Sequence, residues 1–437
     1  MDGFIDNQGN FGADGIVGPH HEKEGSFYTI KQLWSPVQIM NTSIDKQFDG
    51  KFSVENRYDY LNLNTCRFLW KQVKFPTATD TSNTTTQVLK EGEVQGSDVA
   101  AHSTGILDIK TTILPNADAL FLTAIDKYGH ELWRWTFPVD KLNQTNEVFS
   151  PLSGKATYSE TENELTVKAK NHTFIFSKRD GQLKGVSVNN HKISFANGPR
   201  FIGARRADRS LDQFYNHDDE KAKEKDRTYS EFPDAAVFTK LEVKEDGGNL
   251  IVTANYKLGN LDKAQWTINP NGEAALDYTY NFSGVVDLIG ISFDYPEDQV
   301  ISKQWLGAGP YRVWQNRIHG TQYDVWENDY NDPIPGETFT YPEFKGYFDS
   351  VSWMNIRTKE GTISLTNETP DSYIGVYQPR DGRDRLLYTL PESGISVLDV
   401  IPPVRNKVNS TDLCGPSSQP KWVNGPQTGR IIFRFME

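Results

Sequence analysis

AAVFTKLEVKEDGGNLIVTANYKL, residues 235–258, carries the reading of the fold: it consists of short β-rich runs broken by Asp and Gly. The same grammar extends to both sides. ATYSETENELTVKAKNHTFIFS (156–177) and GQLKGVSVNN (181–190) come before it; AQWTIN (264–269), AALDYTYNFS (274–283) and LIGISFDYP (288–296) follow. Helical periodicity is nearly absent from residue 151 to residue 437. A sheet assembly of that length exceeds an immunoglobulin fold and reads as a large two-sheet sandwich. One strongly charged stretch, DDEKAKEKDR (218–227), interrupts it and reads as an exposed insertion.

Residues 40–150 repeat the pattern in smaller compass, with FSVENRYDY (52–60), CRFLWKQVKF (66–75), TGILDIKTTIL (104–114), ALFLTAIDKYG (119–129) and ELWRWTFPV (131–139). Several strands at this spacing over roughly a hundred residues predict an immunoglobulin-like sandwich, with the hydrophilic TATDTSNTTTQVLKEGEV (77–94) as a long loop. Ahead of it, EKEGSFYTIKQLWSPVQI (22–39) predicts one short amphipathic helix closed by Pro36. Tyr28, Ile30, Leu33 and Trp34 are expected on one side of that helix, facing a surface that nothing earlier in the chain supplies. Residues 2–18 are rich in Gly and Asp and read as a loop, as if the text began inside a domain.

Composition bounds the function. A chain of 437 residues is expected to hold two or three domains. The net charge of -12 and the pI near 5.3 oppose a phosphate backbone, which sets nucleic acid aside. Cys66 and Cys414 lie too far apart for a metal knuckle and read as buried free thiols. No run approaches the ~18 apolar residues of a membrane span, and the opening lacks the basic and apolar segments of a signal peptide. A soluble protein of the bacterial cytoplasm or periplasm is the expectation.

Three stretches, in order, resemble family 2 glycoside hydrolases of the β-galactosidase type. NFGADGIVGPHHEKEGSFYTIKQLWSPVQI (10–39) resembles the end of that family's TIM barrel. ENRYDYLNLNTCRFLW (55–70) with ALFLTAIDKYGHELWRWTFPV (119–139) resembles the immunoglobulin-like domain after the barrel. QWLGAGPYRVWQNRIHGTQYDVWENDYN (304–331) with YPEFKGYFDSVSWMNI (341–356) is similar to the β-galactosidase small-chain domain, a relative of galactose mutarotases. The resemblance implies an all-β chain with a short α/β barrel remnant at residues 1–39, an immunoglobulin-like sandwich at 40–150 and a supersandwich at 151–437. Within the last, Gly307, Gly309 and Pro310 read first as turn chemistry, and Tyr311, Trp314, Tyr323 and Trp326 as core.

The same resemblance implies what is missing. Retaining glycosidases need two carboxyl groups about 5 to 5.5 Å apart, and in this family both come from barrel strands upstream of the matched segment. No catalytic residue is therefore nominated here, and Glu22 and Glu24 read as solvated surface. Phe11, through its backbone carbonyl, and Asp14, through its side chain, match positions that hold a sodium ion in family members. Sodium or magnesium is thus a matter for an intact parent enzyme, the chain itself requiring no cofactor. Trp422, in GPSSQPKW (415–422), matches a Trp that stacks on the sugar beyond the cleaved bond. Pro416, Pro420, Pro426, Gly415 and Gly425 around it predict an exposed loop. The implied partners are a galactoside or related glycan and the catalytic barrel or a partner subunit, with room for a homo-oligomer. Two other readings stand beside this one: a free-standing carbohydrate-binding protein or small subunit, and a mutarotase-like epimerase using His319 with Glu327 or Glu343.

Overall fold

The computed structural model describes residues 16, 17, 21, 23, 25–80, 84–139, 154–206, 229–329, 346–376, 391, 393–403 and 414–437. Phe11, Asp14, Glu22, Glu24, Glu343 and the charged stretch 218–227 lie outside them. The described residues are nearly all β, with one α-helix, Gly25–Leu33. That helix is not long and apolar enough to cross a membrane. By compactness the chain divides into two units. The first is Met1–Asn146 with Leu306–Tyr311 and Ile318–Trp326; the second is Glu147–Trp305, Arg312–Arg317 and Glu327–Glu437.

The first unit is an immunoglobulin-like sandwich of two antiparallel sheets. Strand Lys51–Asn56 lies between Val37–Ile39 and Ser103–Asp108, while Arg67–Lys74 and Ala119–Ile125 form the centre of a four-stranded sheet. Alternation decides what each strand buries: Phe52 and Val54 from one sheet meet Phe68, Leu120, Leu122 and Phe137 in a single core. Asn56 is fully buried with them, and its amide donates to the carbonyls of Leu61 and Val99, both at 2.9 Å. Cys66 is a buried thiol outside any disulfide, pushed up in pKa chiefly by burial; Cys414 is in no disulfide either and is only half-buried.

Three sequence expectations need correction in this unit. Gln87–Gln95 is a strand rather than part of a loop. Its polar text suits an edge, where charged side chains guard the unpaired backbone. The helix does not present Tyr28, Ile30, Leu33 and Trp34 together. At about 100° per residue Tyr28 points away from the other three, and its ring meets Tyr311 at 5.2 Å between centroids. The helix is fastened on that side by Thr29 Oγ1 donating to the His319 carbonyl at 2.8 Å and by Gly320 N donating to Gln32 Oε1 at 2.6 Å. Its surface therefore comes from later in the chain. Gly320 has φ +94°, and a Cβ there would sit 2.6 Å from Thr29 N, so only glycine allows the approach. Gly309, finally, ends a strand, Val300–Gly309, rather than making a turn; a Cβ on it would strike the Trp326 indole at 2.5 Å.

The second unit is a large sandwich built on an eleven-stranded and a nine-stranded antiparallel sheet. The quoted hairpin forms Val237–Asp246 and Asn249–Lys257, in continuous register from Lys240↔Asn255 to Asp246↔Asn249. The last strand, Pro426–Met436, does not sit at an edge: it pairs with Ala274–Asn281 on one side and Gly361–Asn367 on the other. Phe433 and Phe435 on that strand, with Trp266, face Phe174, Phe195 and Phe293 across an aromatic seam, with centroids 4.6 to 6.1 Å apart. Such rings bury ~150–250 Å² each and dominate the apolar stabilisation. Trp305 and Trp314 are core too, in T-shaped contact with Phe348 and Tyr347; Tyr311, Tyr323 and Trp326 are only half-buried.

Candidate functional site

Trp422 lies on a three-residue strand, Lys421–Val423, that pairs with Gly284–Val286 in a separate ribbon, Trp422 opposite Val285. The proline- and glycine-rich text gives a short strand where a loop is predicted, and the indole is 69 % exposed. Val423 and Val286 are buried and anchor the ribbon. The segment ahead of it is pinned by hydrogen bonds: Gln315 Nε2 donates to the Gln419 carbonyl at 2.6 Å, Asn316 Nδ2 to Ser418 Oγ at 3.2 Å, and Gln419 Nε2 to the Cys414 carbonyl at 2.9 Å. On the far side Gly425 N donates to Ser283 Oγ at 3.3 Å. An apolar ring is thus held out to solvent on a fixed support, an arrangement able to take the C–H face of a flat, polyhydroxylated ligand.

Consecutive residues of a strand point to opposite faces, so Lys421 looks away from the indole. Its charge falls on Asp349, whose carboxyl burial pushes above the ordinary carboxylate range; the Ser350 hydroxyl and Lys421 work against the shift and Asp371 adds to it. Tyr373, the register partner of Asp349, is pushed up to about 12, first by burial and then by Asp349 and Asp371. Between the two sheets the Tyr280 hydroxyl donates to Asp399, whose carboxyl burial also pushes up. Neither acid was singled out in the sequence. The available signal was a lone Asp inside an apolar run, as in ISVLDV (395–400).

The epimerase residues do not form a pair among the described residues. His319 is exposed, with its carbonyl engaged by Thr29; Glu327 is exposed and ion-paired with Arg357. Among the described residues no group of three or more His, Cys, Asp or Glu side chains is placed to hold a metal ion.

Residues 168–390, just over half of the chain, match the sequence profile of the family described as Beta galactosidase small chain. A β-galactosidase of Priestia megaterium (strain DSM 319 / IMG 1521) is 22 % identical over 388 residues, which make up 84 % of this chain and 35 % of that enzyme. The chain therefore spans about a third of the length of this relative. Two solved structures are similar at TM-score 0.31. One is the YeaD protein of Salmonella typhimurium, described as a candidate mutarotase, at 8 % identity over 65 % of this chain and 94 % of that one. The other is the protein HI1317, at 9 % identity over 64 % of this chain and 99 % of that one.

Proposed function

The chain belongs to the β-galactosidase small-chain family, and from that premise we propose that it is the C-terminal, non-catalytic portion of a family 2 glycoside hydrolase. In this reading it supplies scaffold and pocket rim for the hydrolysis of terminal β-galactosides or related glycosides. The observation that carries the proposal is the match along 84 % of this chain to 35 % of a β-galactosidase. The acid/base and the nucleophile of a double displacement would come from a catalytic barrel, as a domain of a longer protein or as a partner subunit. Trp422 would stack on the sugar beyond the cleaved bond. A sodium or magnesium ion would belong to the assembled enzyme, with Phe11 and Asp14 among its ligands. Leu33 and Trp34, 48 % and 79 % exposed at the end of the helix, supply apolar surface for the barrel to cover. The words "small chain" in the family's description favour one further reading, a separately made subunit.

The test is an assay on aryl β-galactosides with the purified 437-residue chain, alone and after mixing with a separately produced barrel of the related enzyme. The chain alone is expected to give no turnover, and the mixture to gain it. Turnover by the chain alone that disappears on mutating one of its Glu residues sinks the proposal.

A further inference from the structure

We infer that an open cleft on the second unit, of about 550 Å³ and lined by Gln182, Asn197, Arg200, Glu231 and Asp294, is a second saccharide site, separate from Trp422. The lining is a prepared hydrogen-bonding array. Asn197 Nδ2 donates to Asp294 Oδ2 at 2.7 Å, the Arg200 guanidinium is ion-paired with the other oxygen of Asp294, and Arg200 Nη1 also donates to the Asn197 carbonyl at 3.2 Å. Both Asp294 oxygens are thereby oriented while each keeps a lone pair for a ligand. Asn197 holds a left-handed backbone conformation, φ +51°, that fixes the direction of its side chain. Glu231 and the amide group of Gln182 bring a further acceptor and further donors to the same space.

The chemistry of the array selects its ligand. Arg200 is ion-paired with Asp294, and Lys184, which donates to Asn197 Oδ1 at 3.4 Å and to Gln182 Oε1 at 3.3 Å, is ion-paired with Asp180, so among the described residues an anion meets no unpaired cation and Glu231 adds a negative charge. A divalent cation is disfavoured by that same guanidinium on the carboxylate, and no metal-holding group exists among the described residues. Closely spaced donors and acceptors with almost no net charge suit neighbouring hydroxyls, each of which donates and accepts at once. The ligand class is therefore a neutral sugar.

Asp294 closes strand Leu288–Asp294, whose other end follows the strand Gly284–Val286 that carries the Trp422 ribbon. Six steps at about 3.3 Å put roughly 20 Å of strand between the two ends, so one sugar ring cannot serve both. The cleft would hold a different part of an oligosaccharide, or a second molecule. The inference stands on the cleft's own groups and survives if the role of Trp422 fails.

The experiment is calorimetric titration of the full chain with lactose and with galactose, and with inorganic phosphate and calcium chloride as the competing classes. The variants are Glu231→Ala, Arg200→Ala and Trp422→Ala, each checked for an unchanged melting curve. Glu231 is exposed, so its variant leaves the fold intact. Saturable sugar binding with a component that survives Trp422→Ala is expected, and Glu231→Ala weakens that component about tenfold, as for one lost charge-assisted hydrogen bond. Absence of saturable binding by the wild-type chain would overturn the inference. So would binding that vanishes in Trp422→Ala and persists in Glu231→Ala, or saturable binding of phosphate or calcium in place of sugar.

Discussion

Trp266 and Trp422 belong to the same unit and meet opposite fates. Trp266 is 1 % exposed, edge-on to Phe176 and Phe293 and tilted over Phe433; Trp422 is 69 % exposed on a ribbon whose buried members are valines. The difference lies in strand context rather than in residue type. Trp266 occupies a buried position in the alternation of Leu261–Ile268, inside a nine-stranded sheet, whereas the Trp422 ribbon, among the described residues, has only two strands and leaves the indole exposed. Apolar surface that a sheet can cover stabilises the fold; the same side chain beyond the sheet stays in contact with solvent.

The largest effect that sharpens this contrast is at the seam. Trp266→Ala removes a ring held between two sheets and should destabilise the unit by about 3 to 5 kcal/mol, read as a lower denaturant midpoint at unchanged slope. A loss below about 1 kcal/mol would mean that the aromatic seam does not organise the sandwich, and the contrast would collapse.

Much of the fold is legible in the sequence because strand alternation and turn residues are local. The hairpin at 235–258 and the alternating Phe52 and Val54 are readable without any partner. The pairing order is not. Nothing within residues 426–436 says that the final strand will enter the middle of a sheet, since the pairing joins Ala274 to Phe433 and Leu365 to Phe433 across long stretches of chain. The helix shows a second limit: its apolar residues are visible, but Tyr28 is recruited by Tyr311, nearly three hundred residues away. Of the candidate site, the exposure of Trp422 is legible in its turn-rich text. The Arg200–Asp294–Asn197 array is not legible, because Asn197 and Arg200 share the strand Ala196–Arg206 while Asp294 reaches them from Leu288–Asp294, nearly a hundred residues on.

A smaller effect probes the half-buried acid that accepts from Tyr280 between the two sheets. Burial holds the Asp399 carboxyl above its ordinary 3.8, although the Tyr280 hydroxyl works against that shift. A raised carboxyl pKa means that the fold prefers the protonated acid. Its contribution to stability is therefore complete below the ordinary value and is lost as pH rises through the folded value. Asp399→Asn keeps a neutral acceptor for Tyr280 and has no proton to lose. The variant's penalty relative to wild type should be greater near pH 4 than near pH 7, as read from unfolding midpoints of both proteins at the two pH values. A penalty that grows toward neutrality would show that the ionised carboxylate is the stabilising form.

The smallest expected change in stability is at Trp422, and its size decides between two roles for the residue. Val423 and Val286 anchor the ribbon, and the hydrogen bonds of Gln315, Asn316 and Gln419 hold its approach, so the indole itself supports little. Trp422→Ala should then shift stability by no more than about 0.5 kcal/mol, as for an exposed side chain. In the barrel-containing protein the same change should weaken sugar binding by roughly 0.5 to 1.5 kcal/mol, the size of one stacking contact. The pair of measurements is an unfolding midpoint for the chain and an inhibition constant for a galactoside with the assembled enzyme. If the midpoint falls as steeply as in Trp266→Ala, the indole is structural and the contrast between seam and ribbon is wrong. If the midpoint holds and the inhibition constant does not move, the ring faces solvent for some purpose other than the sugar. An unchanged midpoint together with weaker inhibition is the combination that a rim residue requires.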